Sequence, residues 1–393
     1  MRRLLFLLLL LIPHISRAEE ADVIVELRTP ETAESSDLRL LHQAQTAAIR
    51  GSRALGAREV SGLSHLPLLH LRIDADRLRE IEALPEVRAV YPNHRVTAAR
   101  TEGGALIGAP QLRTKYRARG KGIGVAVFDT GIDATHPELA RHVVGGMDFI
   151  GDEPFADRNG HGTAVAGIVH GMAPDAHILS FKVLDDAGNG TEWSVLDGLN
   201  AVVANRQAFG GIHVISASIV YGGPANEDCD EWIPERRAFD ALERVGVLVA
   251  FAAGNDGFRN GISEFACHSK VISVGAVYDA DIGPRDAGCG DPATYAGKPA
   301  CYSNWGEPLD VLAPAEIAWT TGAGGGYHGF GGTSAATPYV AGVLAQLRSR
   351  FPKASAEQLR SALISTGTPI TEAGITRNLI NGPAAYRKLK RSK

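Results

Sequence analysis

Residues 123–133 read IGVAVFDTGID, an apolar run broken only by a glycine and closed by Asp129. A strand covered on both faces reads as a continuous apolar run, whereas a half-exposed strand alternates. Runs of the same kind recur at Ile178–Val183, His213–Ile219, Val247–Ala252 and Val271–Val277. Stretches with helical character, Ser194–Phe209 and Pro234–Val245, fall between some of them. Strands alternating with helices predict an α/β unit around a mostly parallel sheet, with right-handed crossovers. In such sheets functional groups gather outside the carboxyl ends of the strands, where Asp129 stands.

Three further stretches carry candidate chemistry. NGHGTAVAGIV (159–169) sets His161 between two glycines at the start of an apolar helix, so other backbone can approach the imidazole closely. VAFAAGNDG (249–257) places Asn255 just past a strand, where an amide can donate to an oxyanion. GFGGTSAATPYVAGVLAQL (329–347) places Ser334 in the first turn of an apolar helix, with small neighbours that leave clearance for a carbonyl. Pro338 comes early enough in that helix that its missing N–H removes little. Each has a bland alternative: a turn aspartate, a surface histidine, a Gly-Asn turn, a solvated hydroxyl. Together they are a nucleophile, a base, an orienting carboxylate and an oxyanion donor.

Residues 21–98 form a separate pattern. Strand-like Val23–Leu27, Leu66–Ile73 and Val87–Tyr91 alternate with helix-like Leu38–Ile49 and Ala75–Leu84, with a further strand at Ala57–Leu63. That order fits a small α+β sandwich of split βαβ type. The first 18 residues, MRRLLFLLLLLIPHISRA, have a basic start, a short apolar run and small residues before a cleavage point, the pattern of a secretory signal peptide. The run is too short to span a membrane. Residues 101–107 are small and polar and are expected to be an exposed linker, and the basic residues 387–393 a solvated tail. The remainder, 108–386, is the α/β unit.

The 393 residues are 45% hydrophobic, ample for a large core, and the formal net charge of -4 calls for neither nucleic acid nor an anionic membrane as partner. Four cysteines allow three pairings. Cys229–Cys267 and Cys289–Cys301 are favoured because the second pair closes a short Gly/Pro-containing loop; free buried thiols are the alternative. Zinc ligation lacks a C-x-x-C or a His pair at ligand spacing.

VAVFDTGID, NGHGTAVAGIV, AAGNDG and GGTSAATPYVAG, in that order, resemble the subtilisin-like serine proteases, the subtilase family. The order Asp129, His161, Ser334 is the one this family uses. The resemblance implies a three-layer fold and an endopeptidase that acts on proteins or peptides as a monomer, and the signal peptide implies that it is secreted or periplasmic. It implies Asp129, His161 and Ser334 as catalytic triad and Asn255 in the oxyanion hole. Gly188-Asn189-Gly190 and Ser218-Ile219-Val220 would pair with an extended substrate, and Ala252-Ala253-Gly254 would line the first specificity pocket. Residues 19–100 would be a ferredoxin-like inhibitory propeptide removed by self-cleavage near 98–108.

The sequence departs from the family in places. NGHGTAVAGIV runs at once into HGMAPDAHI, leaving no room for the calcium loop that many members insert, so no strong metal site and no required cofactor is expected, with weaker calcium binding left open. Ala335 replaces a common methionine, and Val220 a common glycine, which would narrow the cleft rim. Glu264 reads as a surface glutamate, with a role in favouring basic side chains as the other reading. A catalytically idle binding module would lack a triad member or Asn255. An esterase would show G-x-S-x-G, where this chain has Gly332-Thr333-Ser334-Ala335-Ala336.

Overall fold

The computed structural model describes residues 20–28, 38–63, 66–93, 102–151, 153, 155–286, 289–316 and 318–392. The expected signal peptide and the stretch 94–101 lie outside the described residues. The chain forms two units, Met1–Ala98 and Ala99–Lys393, each with its own apolar core.

The first unit runs β1 (Glu20–Leu27), α1 (Leu38–Ala54), β2 (Arg58–Gly62), β3 (Leu68–Asp74), α2 (Leu78–Glu82) and β4 (Val87–Pro92). The antiparallel sheet has the order β2-β3-β1-β4. Val23, Val25 and Leu27 on β1, and Leu69, Leu71 and Ile73 on β3, are buried at every second position. That period puts one face of the sheet on the core. The expected helix over Ala75–Leu84 is divided: Ala75–Arg77 forms a 3-10 turn before α2.

The second unit opens with α3 (Glu102–Leu106) and α4 (Ala109–Thr114), then β5 (Gly124–Asp129), β6 (Val143–Asp148), α5 (His161–Met172), β7 (His177–Lys182), α6 (Glu192–Ala204) and β8 (Ile212–Ala217). It continues with α7 (Ile233–Arg244), β9 (Leu248–Ala252), β10 (Ile272–Val277), β11 (Val311–Pro314), β12 (Ala318–Gly322) and β13 (Gly326–Phe330). It ends with α8 (Thr333–Arg350), α9 (Ala356–Ile364), β14 (Gly367–Glu372), β15 (Ile375–Ile380) and α10 (Gly382–Arg391). Among the described residues the main sheet has the order β14-β15-β11-β10-β9-β8-β5-β7-β6, parallel except for the β14–β15 edge.

All six residues of β5 are buried. Phe128 faces its register partner Phe181 on β7, with ring centroids 5.1 Å apart; burying each such side chain is worth about 1.5–3 kcal/mol. α8 is buried over most of its length against β8, β9 and β10. It also crosses α5 closely: a Cβ at Gly342 would lie 2.3 Å from Met172 Cβ. Small residues on α8 thus serve packing along the helix as well as clearance at Ser334.

Three stretches depart from expectation. The linker expected at 101–107 is helical from Glu102, and Gly103 is buried so closely that a Cβ there would meet Pro314 Cβ at 2.5 Å. Ile107 is likewise fully buried. The tail expected at 387–393 continues α10 as far as Arg391, and Leu389 is only 5% exposed. The helix expected to reach Phe209 stops at Ala204, where the Asn205 side chain donates to Ala201 O at 2.9 Å and competes with further helix.

His213 on β8 gives a stability prediction. Burial, with Arg206 and Arg348 adding repulsion, lowers its pKa to about 4. The unfolded chain takes up the proton near 6.5. Its stabilising contribution is therefore whole above pH 6.5 and is lost as pH falls toward 4. Melting temperature should decline across that window, and His213→Gln should flatten part of the decline in a calorimetric pH series.

Candidate active site

Asp129 ends β5, buried to 1% exposure, at the carboxyl edge of the sheet. Its Oδ1 lies 2.7 Å from His161 Nδ1 and accepts from Thr130 N–H at 2.8 Å. His161 is the first residue of α5. The approach of α5 to the β5 loop needs glycine, since a Cβ at Gly162 would lie 2.0 Å from Gly131 O. Burial lowers the pKa of His161, but the charge and hydrogen bond of Asp129, with Asp157 adding, outweigh it and leave the value raised above 6.5. Phe330 packs edge-on against the imidazole at 5.0 Å. Gly162→Ala should cut activity at least tenfold while far-UV circular dichroism stays native, because a backbone clash at this contact displaces His161 rather than the sheet.

Side chains that the sequence reading did not single out hold this pair. Asp157 Oδ1 accepts from Gly160 N–H at 2.8 Å and from Thr130 Oγ1 at 2.9 Å, and its Oδ2 accepts from Thr163 N–H at 2.8 Å. Lys182, 5% exposed, donates to Thr130 O at 2.6 Å, Ala156 O at 3.1 Å and Asp186 Oδ1 at 3.0 Å. A buried ammonium is tolerated where carbonyls and a carboxylate surround it. Nothing in a lysine at the end of an apolar run, or in a loop aspartate, announces these partners.

Ser334 is the second residue of α8, half-buried, and its carbonyl accepts from Ser218 Oγ at 2.8 Å. Asn255 Oδ1 accepts from Thr333 N–H at 2.8 Å and Thr333 Oγ1 at 3.0 Å, which commits its oxygen and leaves its NH2 available as donor. The loop carrying Asn255 is fixed from behind: Asn304 Nδ2 donates to Ala253 O at 3.1 Å, and its Oδ1 accepts from Asp256 and Phe258 N–H at 3.0 and 3.1 Å. Gly254, at φ 105, adopts backbone that a side chain would strain, and a Cβ there would lie 2.3 Å from Asn304 Nδ2.

His161 and Ser334 line one cavity of about 450 Å3. No hydrogen bond joins His161 Nε2 to the Ser334 hydroxyl; unliganded sites often leave this contact long or misaligned. Of the expected substrate-binding residues, Gly188, Asn189, Gly190, Ser218, Ile219 and Val220 line the same cavity, Val220 with 49% of its surface exposed. Ala252, Ala253 and Gly254 do not line it; they are buried, with Ala253 O accepting from Ser263 N–H at 2.9 Å. Thr191, Glu192, Val195, Tyr221 and Phe265 also line the cavity, though the sequence reading did not single them out. Cys229 is bonded to Cys267 and Cys289 to Cys301, with Cα separations of 5.4 and 5.7 Å. Among the described residues no group of three or more Asp, Glu, His or Cys side chains is arranged to hold a metal ion, and no helix is long and apolar enough to cross a membrane.

The sequence is similar to those of several proteases. A thermostable alkaline protease of Halalkalibacterium halodurans is 33% identical over 315 residues, covering 77% of this chain and 78% of that protein. Subtilisin E of Bacillus subtilis is 32% identical over 313 residues, 75% of this chain and 74% of that protein. Subtilisin DY of Bacillus licheniformis is 34% identical over 281 residues, 68% and 92%. The model of the Subtilase family matches residues 120–382, a span that contains Asp129, His161, Asn255 and Ser334. With that match over more than half of its length, the chain belongs to the subtilase family of serine endopeptidases.

Proposed function

We propose that Asp129, His161 and Ser334 are the catalytic triad and that the chain is an exported protease made as a self-processed zymogen. The observation that carries the reading is the 2.7 Å contact between Asp129 and His161, with His161 and Ser334 lining one cavity. Ser334 Oγ attacks the peptide carbonyl while His161 Nε2 takes its proton. The carbonyl oxygen becomes an oxyanion, bound by the Asn255 amide and the Ser334 N–H at the start of α8. Collapse of this intermediate breaks the C–N bond, His161 returns the proton to the leaving amine, and an acyl-enzyme remains on Ser334. Water then attacks the ester by the same route in reverse. Asp129 keeps the imidazole in the required tautomer and stabilises the imidazolium without becoming protonated itself.

The test is a pH profile. Only neutral His161 can act as base, so kcat/KM falls as pH drops through its raised pKa, and the acid limb should lie above 6.5. In Asp129→Asn the largest upward influence is gone while burial remains, so the limb of the residual activity should move to lower pH. An acid limb unmoved by that substitution contradicts the assignment.

Residues 19–100 are proposed as the inhibitory propeptide, following cleavage of a signal peptide after Ala18. The order of strands and helices in the first unit, together with the family, supports this. Residues 108–386 would be the mature catalytic domain, acting as a monomer on protein substrates. Because HGMAPDAHI leaves no room for the long calcium loop, no strong ion site is proposed. A site filled at 100 times its Kd would add about 2.7 kcal/mol. Chelation should therefore shift the melting temperature by less than that stabilisation implies.

A further inference from the structure

Three carboxylates gather beside the cleft. Glu192 opens α6 and lines the cavity with Val195, Ile219 and Tyr221. Glu235, in the first turn of α7, is 3% exposed, and its carboxyl group lies beside that of Glu192 where α6 packs on α7. The Glu264 carboxylate lies against Gly222 and accepts from Gly223 N–H at 3.2 Å. Glu264 is thus half-buried and held by backbone, unlike the surface glutamate expected from sequence. Among the described residues, none of the three pairs with a lysine, arginine or histidine.

Helix dipoles account for part of this arrangement. A carboxylate in the first turn of a helix gains about 0.3–1 kcal/mol, which suits Glu192 on α6 and Glu235 on α7 taken singly. It does not account for pressing them together in a buried place, where like charges repel and desolvation adds to the cost. Two carboxyl groups can share a hydrogen bond only if one holds a proton. Consistently, burial first, then the contact with Glu192 and the charges of Glu192 and Glu264, push Glu235 up to about 7. The missing component is a positive charge, and the cleft is where a substrate enters.

We propose that Glu192 and Glu235 form a specificity pocket for a cationic side chain of the substrate, with arginine preferred over lysine. This rests on the peptide-cleaving reading of the cleft. The register follows from the chain: Ser218 touches the Ser334 carbonyl at 2.8 Å, and Tyr221 O accepts from Glu264 N–H at 2.9 Å. Extended chain advances about 3.3 Å per residue, so a peptide paired along Ser218–Tyr221 reaches the carboxylates about three residues from the cleaved bond. A guanidinium offers a planar fork of donors that can engage two carboxylates at once, which a lysine ammonium does less well. Trading a shared proton for a permanent cation relieves the repulsion, and the gain appears as selectivity.

The experiment measures kcat/KM of the mature enzyme on matched peptides carrying arginine, leucine or glutamate at each of four positions on either side of the cleaved bond. Arginine should exceed leucine by at least about tenfold at one position, with glutamate poorest there. Glu192→Gln, and separately Glu235→Gln, should each reduce that arginine-to-leucine ratio about tenfold, with the ratios at other positions as internal reference. Glu192 is only half-buried, so its variant keeps the test open if Glu235→Gln fails to fold. The absence of any arginine preference, or a preference that survives Glu192→Gln, overturns the pocket. An enzyme that cleaves none of the peptides overturns the protease reading along with it.

Discussion

Ser334→Ala is expected to accumulate uncut precursor and to lose hydrolysis of casein, with a drop in kcat of about 10⁶. The substitution removes one oxygen from a half-buried side chain at the start of α8. The backbone contact from Ser218 Oγ to Ser334 O does not involve that oxygen and remains. The fold should therefore survive, and loss of maturation should reflect loss of chemistry. Residual hydrolysis above the uncatalysed rate, about 10³–10⁴, would come from the oxyanion site and binding alone. Supplying active wild-type enzyme in trans should restore cleavage of the accumulated precursor. A variant that matures unaided and digests casein normally would remove Ser334 from the mechanism.

Asn255→Ala should lower kcat by about 10²–10³, or about 3 kcal/mol of barrier, with KM little changed. The charge that the amide is proposed to stabilise exists only once the carbonyl has been attacked, so the loss should appear in the transition state and not in the bound substrate. Thr333 loses its acceptor in the same variant, since Asn255 Oδ1 takes both its N–H and its hydroxyl. Thr333→Ala removes only the hydroxyl side of that contact and keeps the amide donor, so it should cost much less. If the two substitutions are equally damaging, Asn255 acts by holding the α8 start and not as an oxyanion donor. Initial-rate kinetics on a single peptide substrate separates the two.

The sequence made parts of this molecule legible because burial and close approach leave marks on composition. The strands β5, β7, β8, β9 and β10 sit in the middle of the sheet, and each appears as an apolar run. His161 was readable through the glycines beside it, and Gly162 does admit the Gly131 carbonyl. Edge elements leave no such mark. β6 reads VVGGMD and is only partly buried, and β13 is almost wholly exposed. α3 contains two glycines, each costing about 1 kcal/mol in a helix, yet the close contacts of Gly103 with Pro314 and Tyr339 favour it. Propensity alone pointed to a linker there.

The site shows the same division. Asp129, His161, Asn255 and Ser334 each sit in a distinctive local context and could be singled out one at a time. Their supports could not. Lys182 reaches Thr130 from 52 residues away, and Asn304 braces Ala253 from 51 away. Glu192 and Glu235 are ordinary first-turn acids until the fold sets α6 beside α7. Nor could the lining of the cleft be read in full: Tyr221 and Phe265 reach the cavity without any local mark in the sequence.

Covalent labelling tests the nucleophile most directly. The mature enzyme is treated with a fluorophosphonate, which phosphonylates an activated serine with loss of fluoride, then digested and mapped by mass spectrometry. A single stoichiometric adduct on Ser334, formed in step with loss of activity and suppressed in His161→Ala, is the predicted result. An adduct on a different residue, or full inactivation with Ser334 unmodified, would contradict the account.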